Sequence, residues 1–576
     1  ARVFGSDGTA ANTRALPPSA PAQLSSRPGL LTHVEGRLWF QVRATSGYGG
    51  EIWASDGTAA TTRMLSSFAG NQAGTFVHEL LPWNGTVIGS ASSNQSSFRP
   101  LLRFDATGSP TILRNFQQQF ESSPRLLRGT RDLVFFLGQT AAGREPWCTD
   151  GTVAGTRMIR DINPTGSSCS NTWDDQFVTF GDRVVFVADD GVHGEELWIT
   201  DGTFTGTFLL ADIRPGASSS SPRSFCDMGS YLLFRADDGT HGSELWRTDG
   251  SAAGTVMVAD LQPTVFLWRG SSPASITRLG DVAMFTAYSF NDVDLWRSDG
   301  TTAGTARVLD LPPGVLPPDQ FVSVRDKVIF RAFMPNQDRE LWCSDGTAAG
   351  TYQLADIRPG FGDGVDVLMA AGTSHAVFEG SSPDRGSEVW ISDGTPAGTR
   401  LLADIVPGPA SSMPWGFTQA GGVLYWSAFH PDSGWELHGL PLAAFGGAMW
   451  ESHGTGCGTA QRPPTAAIVG APILGSADFA WQLRHAAPSA LCVLLLGLER
   501  SGMALGNSCR LLVGGTSVSL FGLTDGAGAA TFPMPVANTV QLLGLHLWGQ
   551  FGVLELGGPL LGVGAASAGL HVLLGR

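Results

Sequence analysis

Lysine is almost missing from this chain. Lys327 is the only one, and every other basic side chain apart from histidine is an arginine. Charge of any kind is sparse, at 15% of 576 residues, and acids outnumber bases 51 to 36 for a net charge of −15. That balance argues against a nucleic-acid partner, because binding phosphate takes a basic surface. Long apolar runs are lacking too. The longest, at 490–498, is too short to span a bilayer, so no membrane-spanning segment is expected. None of the seven cysteines forms a C-x-x-C pair, which removes a zinc ribbon or a thioredoxin-type motif. H-E-x-x-H, G-x-S-x-G, a P-loop and a dinucleotide fingerprint are all missing. No catalytic residue set is legible, and the sequence-based expectation is a protein that is not an enzyme.

What is present is one phrase, many times over. It reads E-L-W-R-T-D-G-S-A-A-G-T from Glu244, with variants from Glu51, Glu145, Glu196, Asp294, Glu340 and Glu388. The turn aspartate falls at Asp7, Asp56, Asp105, Asp150, Asp201, Asp249, Asp299, Asp345 and Asp393, a spacing of 45 to 51 residues. Leu245 and Arg247 alternate with Trp246, the period-two pattern of a strand. Asp249-Gly250 is a turn signal, since Gly takes positive φ freely and Asp bonds to nearby backbone. Thr255-Val-Met-Val is a β-branched return strand. A hairpin precedes it, and a D-I-x-P-G link with serines follows, as at Asp212 and Asp356. About four short strands per unit at this spacing is the signature of a propeller blade.

The expected fold is therefore all-β: a large β-propeller over 1–441, a linker over 442–456 and a small β-sandwich over 457–576. The first 16 residues carry only a late hairpin and 403–441 only the early strands of a unit. Joining them closes a ring of nine four-stranded blades, with eight the alternative, and closure removes exposed edges. One detail resists: Arg2–Gly5 and Glu436–Gly439 both read as the same strand, so one must be displaced. The unit at Leu101 has Leu102 where the others have Trp. Beyond Pro441 the phrase stops, charge thins, and short apolar runs separated by Gly, Pro, Asn and Asp suggest an antiparallel sandwich. Leu542–Trp548 is apolar at nearly every position, which implies cover on both faces, either by the linker with Trp450 or by another chain.

Candidate sites follow from exceptions to the repeat. Trp173, Phe266, Trp268, Phe361 and Trp415 stand in the links, out of register, where exposed aromatics could stack on sugar rings; local plugging of the disc is the competing reading. Asp190, His193, Asp238 and His241 occupy matching D-D-G-x-H-G loops of adjacent units and could share a structural divalent cation. No other cofactor is expected. The D-G-T turns lack the run of carboxylates that a calcium loop needs, so they are read as turns. The tryptophans of the phrase are read as blade packing. Cys457 with Cys509, and Cys169 with Cys226, are candidate disulfides, while Cys492 reads as buried and free.

The repeated phrase resembles the ELWxxDGT-repeat proteins of bacterial secreted and surface proteomes. The tail resembles a C-terminal module of secreted planctomycete-type proteins, through Gly454-Thr-Gly-Cys457, Asn507-Ser-Cys509 and Gly544-Leu-His-Leu-Trp-Gly-Gln550. The resemblance implies export and an extracellular or cell-surface location in a bacterium. The repeat, the acidic composition and the missing catalytic motifs lead to the expectation of a non-enzymatic binding or assembly scaffold whose partners are other proteins, its own copies or surface glycans, and the apolar tail to the sandwich as its anchor. A glycan-binding propeller and an extracellular polysaccharide hydrolase or lyase with a site in the funnel are the alternatives.

Overall fold

Each copy of the phrase folds into the outer half of one antiparallel sheet. The structure, a computed structural model, describes residues 3–5, 14–15, 27–43, 50–58, 61–67, 75–93, 98–116, 123–141, 143–169, 177–263, 270–289, 292–312, 315–333, 339–360, 362–446, 449–453, 457, 464–469, 471–506, 509–515, 517–554 and 564–575. In blade 5 the strands are Arg223–Asp227, Leu232–Asp237, Ser243–Thr248 and Val256–Ala259, hydrogen-bonded in chain order. Phe234 lies opposite Trp246, and Ala236 lies opposite Glu244. Eight sheets follow this plan, running from blade 1 at Gly29–Val34 to blade 8 at Arg400–Ala403.

The ninth sheet closes the ring. It holds Trp415–Ala420, Val423–His430 and Gly434–Pro441, then Val3–Gly5 and Arg14–Ala15 on its outer side. Val3–Gly5 runs parallel to Gly434–Pro441, with Phe4 beside His438. The two look-alike strands thus stand side by side, and the N-terminal one is displaced outward as part of a five-stranded blade. Apolar packing shows that the circle is complete. Nine buried clusters each straddle one pair of neighbouring blades, and one of them joins Phe40 and Trp53 of blade 1 to Tyr425 and Leu437 of the closing blade. Trp147 and Trp198 are buried in these seams, as blade packing requires. Leu102 takes the same position in blade 2, filled out by Phe104 against Trp39. The closing blade exchanges the pair: Trp426 sits on the second strand and stacks on His438 of the third.

The acid that opens each phrase is a structural residue. Glu196 is fully buried; its carboxylate accepts hydrogen bonds from the backbone N–H of Ile213 and of Ser220 and from the Ser220 hydroxyl. Glu145 does the same with Ile162 and Ser168, Glu244 with Leu261 and Ser271, and Glu388 with Ile405 and Ser412. Each acid thus pins both ends of the link to the next blade. The residue opposite it on the second strand is small, Gly138, Ala188, Ala236 or Gly380, which leaves room for the adjoining indole.

The C-terminal part is a sandwich. A six-stranded sheet and the three strands Thr465–Val469, Ala480–Arg484 and Ala530–Pro533 enclose a core around Trp481, Leu494, Phe551 and Val572. The expected linker is corrected in part: Met449–His453 pairs with Gly569–Leu573 and belongs to this sheet. Leu573 also packs into the seam between blades 8 and 9, and Arg500 pairs with Glu35 of blade 1. Leu542, Leu545 and Leu547 pack on the sandwich's own core, and the strand proper begins at His546. Leu542–Trp548 is therefore not one strand, and the open apolar positions lie elsewhere, at Phe521 and Leu523. The side chain of Trp450 lies outside the described residues. Cys457 and Cys509 are joined, and Cys492 is buried and free. Cys169 and Cys226 are also free, a correction. They sit in the seams of blades 3 and 4 and of blades 5 and 6, too far apart for a bridge that needs Cα atoms within about 7 Å. Among the described residues no helix is long and apolar enough to cross a membrane.

Two outcomes are expected. Glu196→Ala strips the acceptor from at least three donors, each costing roughly 1–3 kcal/mol when left buried and unmet. The loss should be on the order of 3 kcal/mol or more in denaturant titration, with fast hydrogen exchange at Ile213 and Ser220. The second outcome is a pH profile. Burial pushes Glu145, Glu196 and Glu388 up to about 7, against the pull of their donors. A raised carboxyl stabilises the fold fully below its unfolded value, about 4.3, and loses that contribution as pH rises through about 7. Melting temperature should therefore fall from about pH 5 to about pH 8.

Candidate functional site

The D-G-T turns are built from hydroxyls and one carboxylate. Asp249 Oδ1 accepts the N–H and the hydroxyl of Ser251, and that hydroxyl's oxygen accepts the N–H of Gly254. Thr248 and Thr255 close the base of the loop through their hydroxyls at 2.8 Å. Gly250 has φ 83°, and a side chain at Gly254 would strike the Asp249 carboxylate. The same contacts recur around Asp150, Asp201, Asp299, Asp345 and Asp393. Hydrogen bonds from the neighbouring hydroxyl hold Asp150, Asp249, Asp299 and Asp345 below the usual carboxylate range. Each turn also tucks onto the preceding blade. Arg103, Arg247 and Arg297 donate to the carbonyls of Gly151, Gly300 and Gly346 across the seam.

On this face lies a cleft of about 400 Å³ spanning blades 3 to 5. Its rim carries both signs of charge: Arg131 and Asp132 from the inner turn of blade 3, Asp182 and Arg183 from that of blade 4, with the turn carboxylates Asp201 and Asp249. Leu133, Phe180 and Ile199 supply an apolar floor. The volume is within the usual range for a small-ligand site, roughly 300–1,000 Å³. Sequence reasoning missed it: Asp132 and Asp182 share one place in the repeat, four residues before the phenylalanine that faces the Trp, and Asp201 and Asp249 share another, but nothing within one repeat shows that these turns meet across the seams. The charged pairs Arg131-Asp132 and Asp182-Arg183 gave no guide, because the same turn carries Glu35 and Arg37 in blade 1 and Arg325-Asp326-Lys327 in blade 7.

Of the aromatic and loop residues singled out from sequence, Trp415, Asp190, His193, Asp238 and His241 are described, and they lie on the opposite face. Trp415 opens the inner strand of the closing blade and is 41% exposed. Trp435 meets it edge-on at 6.5 Å, and Phe429 stands 5.9 Å from Trp435. Trp173, Phe266, Trp268 and Phe361 lie outside the described residues. The shared-cation reading of the paired loops is corrected. Asp190 Oδ1 accepts the N–H groups of Val192 and His193, and its Oδ2 faces His193 Nδ1 at 2.8 Å. Asp238 and His241 repeat this at 2.7 Å. Each pair closes its own loop, and both carboxylate oxygens of each aspartate are taken up by donors of that loop. Among the described residues no three His, Cys, Asp or Glu side chains converge. The hydrogen bond that each donates to its aspartate raises both His193 and His241 above the usual histidine value.

No protein-family model matches the sequence, and no curated protein matches it. Solved structures match in fold. One, from a study of two prolyl endopeptidases, is 10% identical with a TM-score of 0.39, over 71% of this chain and 56% of that one. The β-propeller domain of the Trilobed protease from Pyrococcus furiosus, of open velcro topology, is 12% identical with a TM-score of 0.32, over 58% of this chain and 97% of that one. A puromycin-hydrolyzing peptidase of Mycobacterium tuberculosis is 13% identical with a TM-score of 0.35, over 71% of this chain and 60% of that one. The chain thus spans little more than half of the full-length peptidases. The expectation of a non-enzymatic scaffold is corrected to this extent: the three structures named are peptidases or a domain of one, and none of them is a scaffold protein.

The turn chemistry makes one test simple. Gly254→Ala should lower stability by about 1–3 kcal/mol by driving the Asp249 carboxylate off its donors. Ala253 is exposed and one position earlier, so Ala253→Ser serves as the control and should change stability by less than about 0.5 kcal/mol. Equal losses in the two variants, measured by denaturant titration, would contradict the geometry.

Proposed function

We propose that this chain is a secreted bacterial propeller of the ELWxxDGT-repeat type whose cleft over blades 3 to 5 takes a short zwitterionic peptide as substrate. The carrying observation is the cleft's composition: charges of both signs on the rim over an apolar floor. A neutral apolar ligand would offer those charges nothing, and a polyanion would meet Asp132, Asp182, Asp201 and Asp249. A peptide offers an ammonium, a carboxylate and apolar side chains at once. Export is supported by the Cys457–Cys509 disulfide, since such bonds persist in oxidising compartments.

Calorimetric titration with a panel of tri- to pentapeptides tests binding, and mass spectrometry of the same mixtures tests turnover. Asp182→Ala and Arg183→Ala, in the inner turn of blade 4, should each weaken peptide binding at least tenfold while leaving the melting temperature within a few degrees. Peptide binding unchanged in both variants, or neutral oligosaccharides binding more tightly than any peptide, would overturn this reading.

A further inference from the structure

Two arginines of blade 3 lie on the face opposite the cleft, Arg125 at the start of the inner strand and Arg144 at the start of the third strand, Gly143–Thr149. Thr75–Trp83 is the inner strand of blade 2 and Arg125–Gly129 that of blade 3. Glu79 joins them, accepting the N–H groups of Leu126 and Leu127, where the strand bulges and Leu126 takes φ 58°. His78 and Arg125 flank this junction. Arg125 stands opposite Leu137, and two residues further along the same strand Gln139 stands opposite Arg144. Arg125 and Arg144 therefore project from one face of blade 3. Burial holds both His78 and Arg144 below their ordinary values, and Arg125 lies close enough to both to push in the same direction. Arg99 acts on His78 in the same sense.

Among the described residues neither Arg125 nor Arg144 has an ion pair, although the chain carries 51 acids to 36 bases. Glu79, the acid at this junction, has both oxygens committed to backbone. Arg144 donates to the Cys169 carbonyl at 3.1 Å and to Gln139 at 3.4 Å, but its buried Nε has no partner among the described residues. A buried charged donor left unmet costs more than a neutral one. We infer that Arg125 and Arg144, with His78 and Arg99 at the rim, form a binding site for a small oxyanion, a carboxylate or a phosphate group. A planar guanidinium pair suits either, since both present paired oxygens. The site shares no residue with the cleft, so the two stand or fall separately.

The full chain is titrated with inorganic phosphate and with acetate, each against chloride at matched ionic strength, by calorimetry and by thermal melting. One of the two oxyanions should bind and raise the melting temperature beyond chloride. Tighter phosphate marks a phosphorylated ligand and tighter acetate a carboxylate ligand, and either supports the site. Arg125→Gln and Arg144→Gln should each weaken that binding at least tenfold, with melting in chloride as the check on folding. Arg125→Lys keeps the charge and should retain most of the affinity. The proposal fails if neither oxyanion exceeds chloride, if binding survives Arg125→Gln, or if Arg125→Lys loses as much as Arg125→Gln.

Discussion

A carboxylate buried at the start of the third strand holds this ring together. It is placed where charge is expensive, and burial drives it toward its neutral form. It is tolerated there because the most awkward stretch of backbone needs it. Leaving one blade for the next strands several N–H groups between sheets, with no ladder to join. Glu196 meets those of Ile213 and Ser220, and its counterparts do the same in their own blades. Blade 6 solves the problem with a shorter acid: Asp294 accepts from Leu311 and is braced by Arg307. Without an acceptor at that depth, the link would have to reach water, and the seams between blades would open.

The second constraint lies at the other end of the same strand. A D-G-T turn satisfies itself internally, so its carbonyls are free to receive arginines from the blade before. Blade order is thus fixed by apolar seams in the middle and by polar latches at the rim. The cleft arises where the latches of blades 4 and 5 meet inner turns rich in charge. It belongs to no single repeat.

Most of the architecture was legible because each residue of the phrase has a local job. Gly250 supplies a positive φ, Asp249 caps its own loop, and Trp246 alternates with Leu245; none of this needs knowledge of distant residues. The ring of nine was legible from complementary ends, and the doubled strand was visible as a conflict. Its solution was not, since outward displacement depends on space beside Gly434–Pro441. The acid looked like an ordinary strand residue because its partners lie 17 and 24 residues ahead. The paired histidine loops misled for the opposite reason. Similar loops on adjacent blades are alike in sequence, yet each aspartate is taken up by donors of its own loop. The basic group of blades 2 and 3 was hidden because Arg125 and Arg144 occupy unrelated places in the repeat.

The parallel pairing of Val3–Gly5 with Gly434–Pro441 bears on mechanical load. Tension drawn between the leading end of the first strand and the trailing end of the second runs along both strands in opposite directions. Their hydrogen bonds are then pulled in shear and must yield together. An antiparallel neighbour loaded from the same two points would open one bond at a time, like a zip. The closing blade is therefore oriented to resist stretching at the one seam of the ring that no continuous chain crosses.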